Sequence, residues 1–138
     1  MARHGYVDDD GDGEQWDLIR WRGAVKSALR GARGQSFLRE MLIALDAMPE
    51  KRLVREELLN AEGEMCTLGV IGTQRGLDMT TIDPEDRDAV SAAFGIPLSM
   101  ACEIMYENDD GRGHNETPER RWTRMRGWVA INILEEQP

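Results

Sequence analysis

The sequence predicts a mainly α-helical fold: a single compact helical domain of about five to six helices, with room for one small β-hairpin near residues 52–70. Three observations carry this prediction. Apolar residues recur at helical spacing over most of the chain. Several segments open on Asp-Pro or Thr-Pro pairs or close on glycine, the usual punctuation of helices. A chain of 138 residues, 41% hydrophobic and 31% charged, suffices for one core and falls short of two.

In chain order, residues 1–13 read as an acidic, flexible N-terminal segment ahead of a helical domain over 14–138. From Glu14 to about Gly31, the residues Leu18, Trp21, Val25, Ala28 and Leu29 line one helical face, and Arg22, Lys26, Arg30 and Arg33 form a stripe beside it. "GARGQ" interrupts with two glycines. A second helix then carries Leu38, Met41, Leu42 and Leu45 on one side and ends near Met48, because Pro49 disfavours helix at the residue before it.

Between Arg52 and Gly76, two short strands are expected around the turn-like "NAEG", followed by a short helix in "CTLGVIGTQRG" whose small residues let it pack closely. "DPEDRDAVSAAFG" offers Asp83 as N-cap, Pro84 in the first helical position and Gly95 just past the end. The next helix opens at Pro97 and runs to about Glu107, and "NDDGRGHNE" reads as a loop. The last helix has Thr117 as cap and Pro118 behind it, with Trp122, Met125, Val129 and Ile133 on one face. Helices this short are stable only when packed, so the four tryptophans and eight methionines are read first as core.

The net charge of −9 is unevenly distributed. Residues 1–17 sum to −5 and residues 18–39 to +6, with no Asp or Glu between Leu18 and Arg39. An acidic-protein argument applied to the whole chain would therefore mislead, and each charged segment needs its own reading. No apolar run approaches the ~20 residues of a membrane span, and "MARHG" lacks the apolar stretch of a secretion signal. A cytoplasmic protein is expected, with no membrane partner and with Cys66 and Cys102 as buried free thiols.

Motifs for chemistry are incomplete. Asp8-x-Asp10-x-Asp12-Gly13 is the first half of a calcium loop, but the position that needs a bidentate Glu is Ile19. "HNE" at His114 to Glu116 has the His-x-Glu of zinc deaminases without the later cysteine pair. "AVSAAFGIPLSMACEIMY" has helix-turn-helix spacing, yet its second helix carries no basic residue to meet DNA and reads as a core hairpin. The glycines of "GVIGTQRG" fit neither a P-loop nor a dinucleotide fingerprint. No catalytic constellation, cofactor site or metal site is expected.

Two binding surfaces remain. One is acidic: Asp8, Asp9, Asp10, Asp12 and Glu14, with Asp109 and Asp110 from the later loop. The other is basic: the Arg22, Lys26, Arg30 and Arg33 stripe, with Arg120, Arg121, Arg124 and Arg126 of the last helix, which side by side would make a groove of phosphate size. An exposed Trp16 or Trp128 would hint at self-association, and the oligomeric state is left open.

The wording of "WDLIRWRGAVKSALRGARGQSFLREMLIALDAMPEKRL", "CTLGVIGTQRGLDM", "DPEDRDAVSAAFGI", "YENDDG" and "ETPERRWTRMRGWVA" resembles a family of small uncharacterised proteins encoded by tailed bacteriophages and prophages, from Tyr6 to Ile133. The resemblance implies a setting, the cytoplasm of an infected bacterium, and no activity. The expectation is a non-catalytic binding protein, an anti-defence inhibitor that meets a basic groove on a host or phage protein with its acidic surface. The alternative is a nucleic-acid-binding accessory protein that uses the basic stripe.

Overall fold

The computed structural model describes residues 3–6, 14–111 and 115–135, and for 14–18 the backbone only. Within these residues the chain is mainly helical. Six α-helices follow one another: α1 (Glu14–Arg30), α2 (Ala32–Ala47), α3 (Thr67–Arg75), α4 (Arg87–Phe94), α5 (Leu98–Asp110) and α6 (Pro118–Asn132), with one 3-10 turn at Met79–Thr81.

The predicted apolar stripes are the buried ones. Val25 and Leu29 of α1, Leu38, Met41 and Leu45 of α2, and Met125 and Val129 of α6 are all inside. Trp21, Leu42, Trp122, Trp128 and Ile133 pack against them from the rim, so Trp128 gives no hint of self-contact. α5 is the central element, with Met100, Ala101, Cys102, Ile104 and Met105 buried and α1, α3, α4 and α6 around it. α4 and α5 pack on each other within this core, the helical hairpin that their spacing and the lack of a basic residue on α5 predicted. No single described helix is long and apolar enough to cross a membrane.

Three boundaries differ from expectation. α5 runs to Asp110, three residues past the expected end at Glu107, so Asn108, Asp109 and Asp110, read from sequence as the start of a loop, form its last turn. α4 starts one turn late: Asp83 caps only a local turn, accepting from the Glu85 N–H at 2.9 Å, while Asp86 is the N-cap and accepts from the Ala89 N–H at 3.1 Å. Gly95 ends that helix in the left-handed conformation, φ 67°, which a side chain would oppose. The β-hairpin shrinks to one antiparallel bridge, Leu59 to Met65, with no strand among the described residues. Glu56 adopts a positive φ of 65° and interrupts the pleat, and the Leu53 N–H is spent on the Pro118 carbonyl. The small-residue helix does form. α3 lies so close to its neighbours that a Cβ on Gly69 would run into the Leu58 carbonyl oxygen.

Candidate functional site

The largest concentration of polar side chains lies at the C-terminal end of α5, where the sequence reads Asn108, Asp109, Asp110. Carboxylates there oppose the helix dipole, whose C-terminal end is already negative. The fold answers with arginines from four places in the chain. Arg3 forks onto Asp109, Nε to Oδ2 at 2.6 Å and Nη2 to Oδ1 at 2.8 Å, and both residues are buried, at 3% and 2% exposure. Arg55 donates to the Asp109 carbonyl at 2.9 Å and to Asp110 Oδ1 at 2.9 Å. Arg121 donates from Nε to the Asn108 carbonyl at 2.9 Å. Arg124 reaches the same carbonyl at 3.3 Å while forking onto Glu116.

The rest of the knot ties this end to the body. Asn108 Oδ1 accepts from the Thr67 N–H and hydroxyl, at 3.0 and 2.8 Å, and so fixes the start of α3. Asp109 Oδ1 also accepts from the Glu56 N–H at 3.0 Å, which helps hold that residue in its left-handed conformation. His4, 4% exposed, meets Asp110 Oδ2 through Nε2 at 2.6 Å and accepts the Tyr6 N–H on Nδ1 at 3.0 Å; these partners put the neutral ring's hydrogen on Nε2. Tyr6 donates to Glu103 at 3.2 Å and sits edge-on to Trp21 of α1. Residues 3–6 thus form a strap across α5, although they belong to the segment read from sequence as a flexible lead-in.

Each strong electrostatic perturbation has a visible cause. Burial disfavours charge on Asp109, but the Arg3 fork outweighs it and holds the carboxyl below the usual range. Burial likewise works against Arg3, and the neighbouring Cys66 together with Asp109 raises it regardless. Burial holds Arg121 below the ordinary arginine value. Burial pushes Glu103 upward, helped by Glu107, and pushes Glu107 upward against the pull of Arg124.

These shifts predict a two-stage acid response. Glu103 and Glu107 have folded pKa values above the ~4.3 of an unfolded glutamate, so on mild acidification the native state takes up protons first and stability rises. Asp109 behaves oppositely. Its contribution is complete above the ~3.9 of an unfolded aspartate and is lost as pH falls through its lower folded value. Thermal unfolding followed by circular dichroism should show a maximum on the mildly acidic side and then a collapse. Glu103→Gln with Glu107→Gln should flatten the rise and leave the collapse.

The predicted binding residues are separated rather than assembled. Asp8, Asp9, Asp10 and Asp12 lie outside the described residues, as does the side chain of Glu14. Asp109 is interior and Asp110 half-buried between His4 and Arg55, so the acidic surface loses Asp109 and finds Asp110 already occupied. On the basic side, Arg22, Lys26, Arg30 and Arg33 are exposed, as is Arg20, and none makes a hydrogen bond or ion pair with another described residue. α6 differs. Arg121 and Arg124 belong to the knot, and Arg126 forks onto Asp46 at 2.7 and 3.0 Å; only Arg120 is exposed and without an ion pair among the described residues.

Nor do the two basic helices form the expected groove. Both pack on α2 and α5, and their C-terminal ends meet at Gln35, whose Nε2 donates to the Leu29 carbonyl at 2.7 Å and the Asn132 carbonyl at 3.0 Å. Arg124 and Arg120 lie about 12 Å or more back along α6 from that meeting point. The arginines of the knot escaped the sequence reading because their partners are distant in the chain. The available signal was the pair of aspartates at a helix end that needed cations.

No group of three or more His, Cys, Asp or Glu among the described residues is arranged to hold a metal. A shallow, open depression lies over Asn115, Glu116, Arg120, Thr123 and Arg124, and its arginine and glutamate nearest the body are already spent on each other. Cys66 and Cys102 are buried free thiols. No family model matches this sequence, and no curated protein and no solved structure matches it either.

Proposed function

We propose that this protein is a non-catalytic binding protein that docks on nucleic acid through the outer face of α1. The observation that carries the reading is the state of that face: Arg22, Lys26 and Arg30 of α1, with Arg33 at the start of α2, stand exposed and make no hydrogen bond or ion pair with another described residue, Arg22 feeling only the field of Glu103, whereas Arg121 and Arg124 of α6 are consumed inside the fold and Arg126 is paired with Asp46 at the surface. Exposed cations at one-turn spacing meet phosphates, and each contact releases a condensed counterion. The overall charge of −9 opposes approach from afar. At ordinary salt that repulsion is screened beyond ~10 Å, while the direct contacts are not.

The face offers Gly23, Ala24 and Ser27 between its cations, with no Asn or Gln to read adenine, so the phosphate contacts are expected to dominate and sequence preference to be weak. The resemblance to phage proteins supplies a setting for such a protein, a bacterial cytoplasm during infection. The rival reading, an anti-defence inhibitor with an acidic face, now rests on Asp8, Asp9, Asp10, Asp12 and Glu14 without Asp109.

Fluorescence anisotropy with a labelled duplex tests the proposal. Binding should appear at low salt, with a log–log salt slope of about −3.6 for four phosphate contacts. Arg22→Glu, Lys26→Glu and Arg30→Glu together should abolish it. Absence of binding at low salt, or binding indifferent to the triple substitution, overturns the proposal. Asp8, Asp9, Asp10 and Asp12 changed to Asn should leave duplex binding intact or tighter; if those changes instead abolish capture of a host protein, the acidic reading takes its place.

A further inference from the structure

We propose that the edge of α5 is a recognition site for an extended Arg-His-Gly-Tyr peptide, and that residues 3–6 of this chain occupy it as a separable ligand. The proposal does not rest on the reading of α1.

Each of the four residues is met by its own group on the body. Arg3 needs a planar, two-pronged acceptor and finds it in Asp109, with which it is buried. His4 donates from Nε2 to Asp110 and sets its ring edge-on to Tyr106, the centroids 5.1 Å apart. Gly5 turns with φ 77°, a conformation that a side chain opposes, and the Arg87 guanidinium of α4 stands where its Cβ would be. Tyr6 donates to Glu103 and lies against Tyr106 and Trp21, at 5.2 and 5.8 Å between centroids. Charge, ring and backbone are thus all read, residue by residue.

Two features make the segment a ligand rather than a length of core. The apolar core is built without residues 3–6, and the groups that read them stand on α1, α4 and α5, of which the first two pack directly on the third. The acceptors on α5 are 97 to 106 residues away along the chain, so the recognition owes nothing to local continuity. A peptide that is not joined to the chain meets the same groups. When the strap leaves whole, Arg3 goes with it and water reaches Asp109; Arg3→Ala, by contrast, keeps a strap over an unpaired carboxylate.

Cutting the strap loose tests the proposal. In the full chain, residues 9–12 are replaced by the cleavage sequence of a specific protease, and the folded protein is cut there. Fluorescence anisotropy then follows a dye-labelled peptide of residues 1–7, added in excess. The peptide should displace the severed end and bind the cut chain saturably. It should bind the uncut chain at least about tenfold more weakly, because the tethered strap competes at an effective concentration in the millimolar range. Within the peptide, Arg3→Ala should weaken binding about tenfold or more and Gly5→Ala about fivefold or more, and these changes leave the body of the protein untouched. Loss of helical circular dichroism when the severed end is removed overturns the proposal, since the segment would then be part of the fold. So does a cut chain that takes up no peptide, or one that binds both altered peptides as well as the parent.

Discussion

Arg3→Ala is expected to destabilise the protein by about 3–5 kcal/mol, a large share of the total for a domain of this size. The reason is asymmetry. The intact pair gains little over well-packed apolar residues, because both ions were taken out of water to make it. Removing Arg3 alone leaves the Asp109 carboxylate buried at the negative end of α5, with only the Asn108 amide and the Glu56 N–H to hold it. Urea unfolding should therefore show a lower midpoint for Arg3→Ala at neutral pH, and the deficit should shrink as pH falls and Asp109 is protonated in both states. Replacing both partners, Arg3→Met with Asp109→Leu, should cost much less than the sum of the single changes. Equal stability of Arg3→Ala and the parent protein would show that the strap contributes nothing.

The second large effect is expected at Gly69. Gly69→Ala should cost about 3 kcal/mol or more, the upper end of overpacking penalties. The added methyl group meets the Leu58 carbonyl oxygen and stands 3.1 Å from Met65 Cβ. A backbone carbonyl cannot rotate aside as a side chain can. The irregular segment ahead of α3 would have to move, and with it the Leu59–Met65 bridge. Gly23→Ala is the matched control: that glycine is also in a helix, but its Cβ would meet nothing within 4 Å, and a gain of about 0.5–1 kcal/mol is expected from helix propensity. Thermal denaturation of the two variants side by side decides the matter. Similar midpoints would mean that α3 is not tightly seated.

Periodicity and capping made α1, α2 and α6 legible, because their inner residues recur at helical spacing and Thr117-Pro118 is a start signal that needs no tertiary context. The start of α4 was ambiguous for a local reason. Asp83 and Asp86 are both good caps, and the first was spent on a turn. The segment 52–66 could not be read because its hydrogen bonds go to Pro118, Asp109 and its own turn, and no pattern along the chain announces such partners. Charge was the hardest part. Exposed Arg30 and buried Arg121 look alike in a sequence, and what separates them is whether an acid or a helix end waits nearby in space. The stripe on α1 was legible because no acid lies near it in the chain; the knot on α5 was not, because its partners arrive from positions 3, 55, 116, 121 and 124.

The strap also imposes an order of events in time. Arg3 and Asp109 are 106 residues apart, so during synthesis the amino-terminal end emerges long before the carboxylate that will receive it. At the usual pace of about 5–20 residues per second, Arg3 waits for seconds, hydrated and unengaged, while α1 to α5 are made. Closing so long a loop is slow and worthwhile only once the helices it crosses are in place. Docking of the amino-terminal end should therefore be among the last steps in maturation and among the first to reverse, and a nascent chain halted before Asp109 should carry an end still open to proteases.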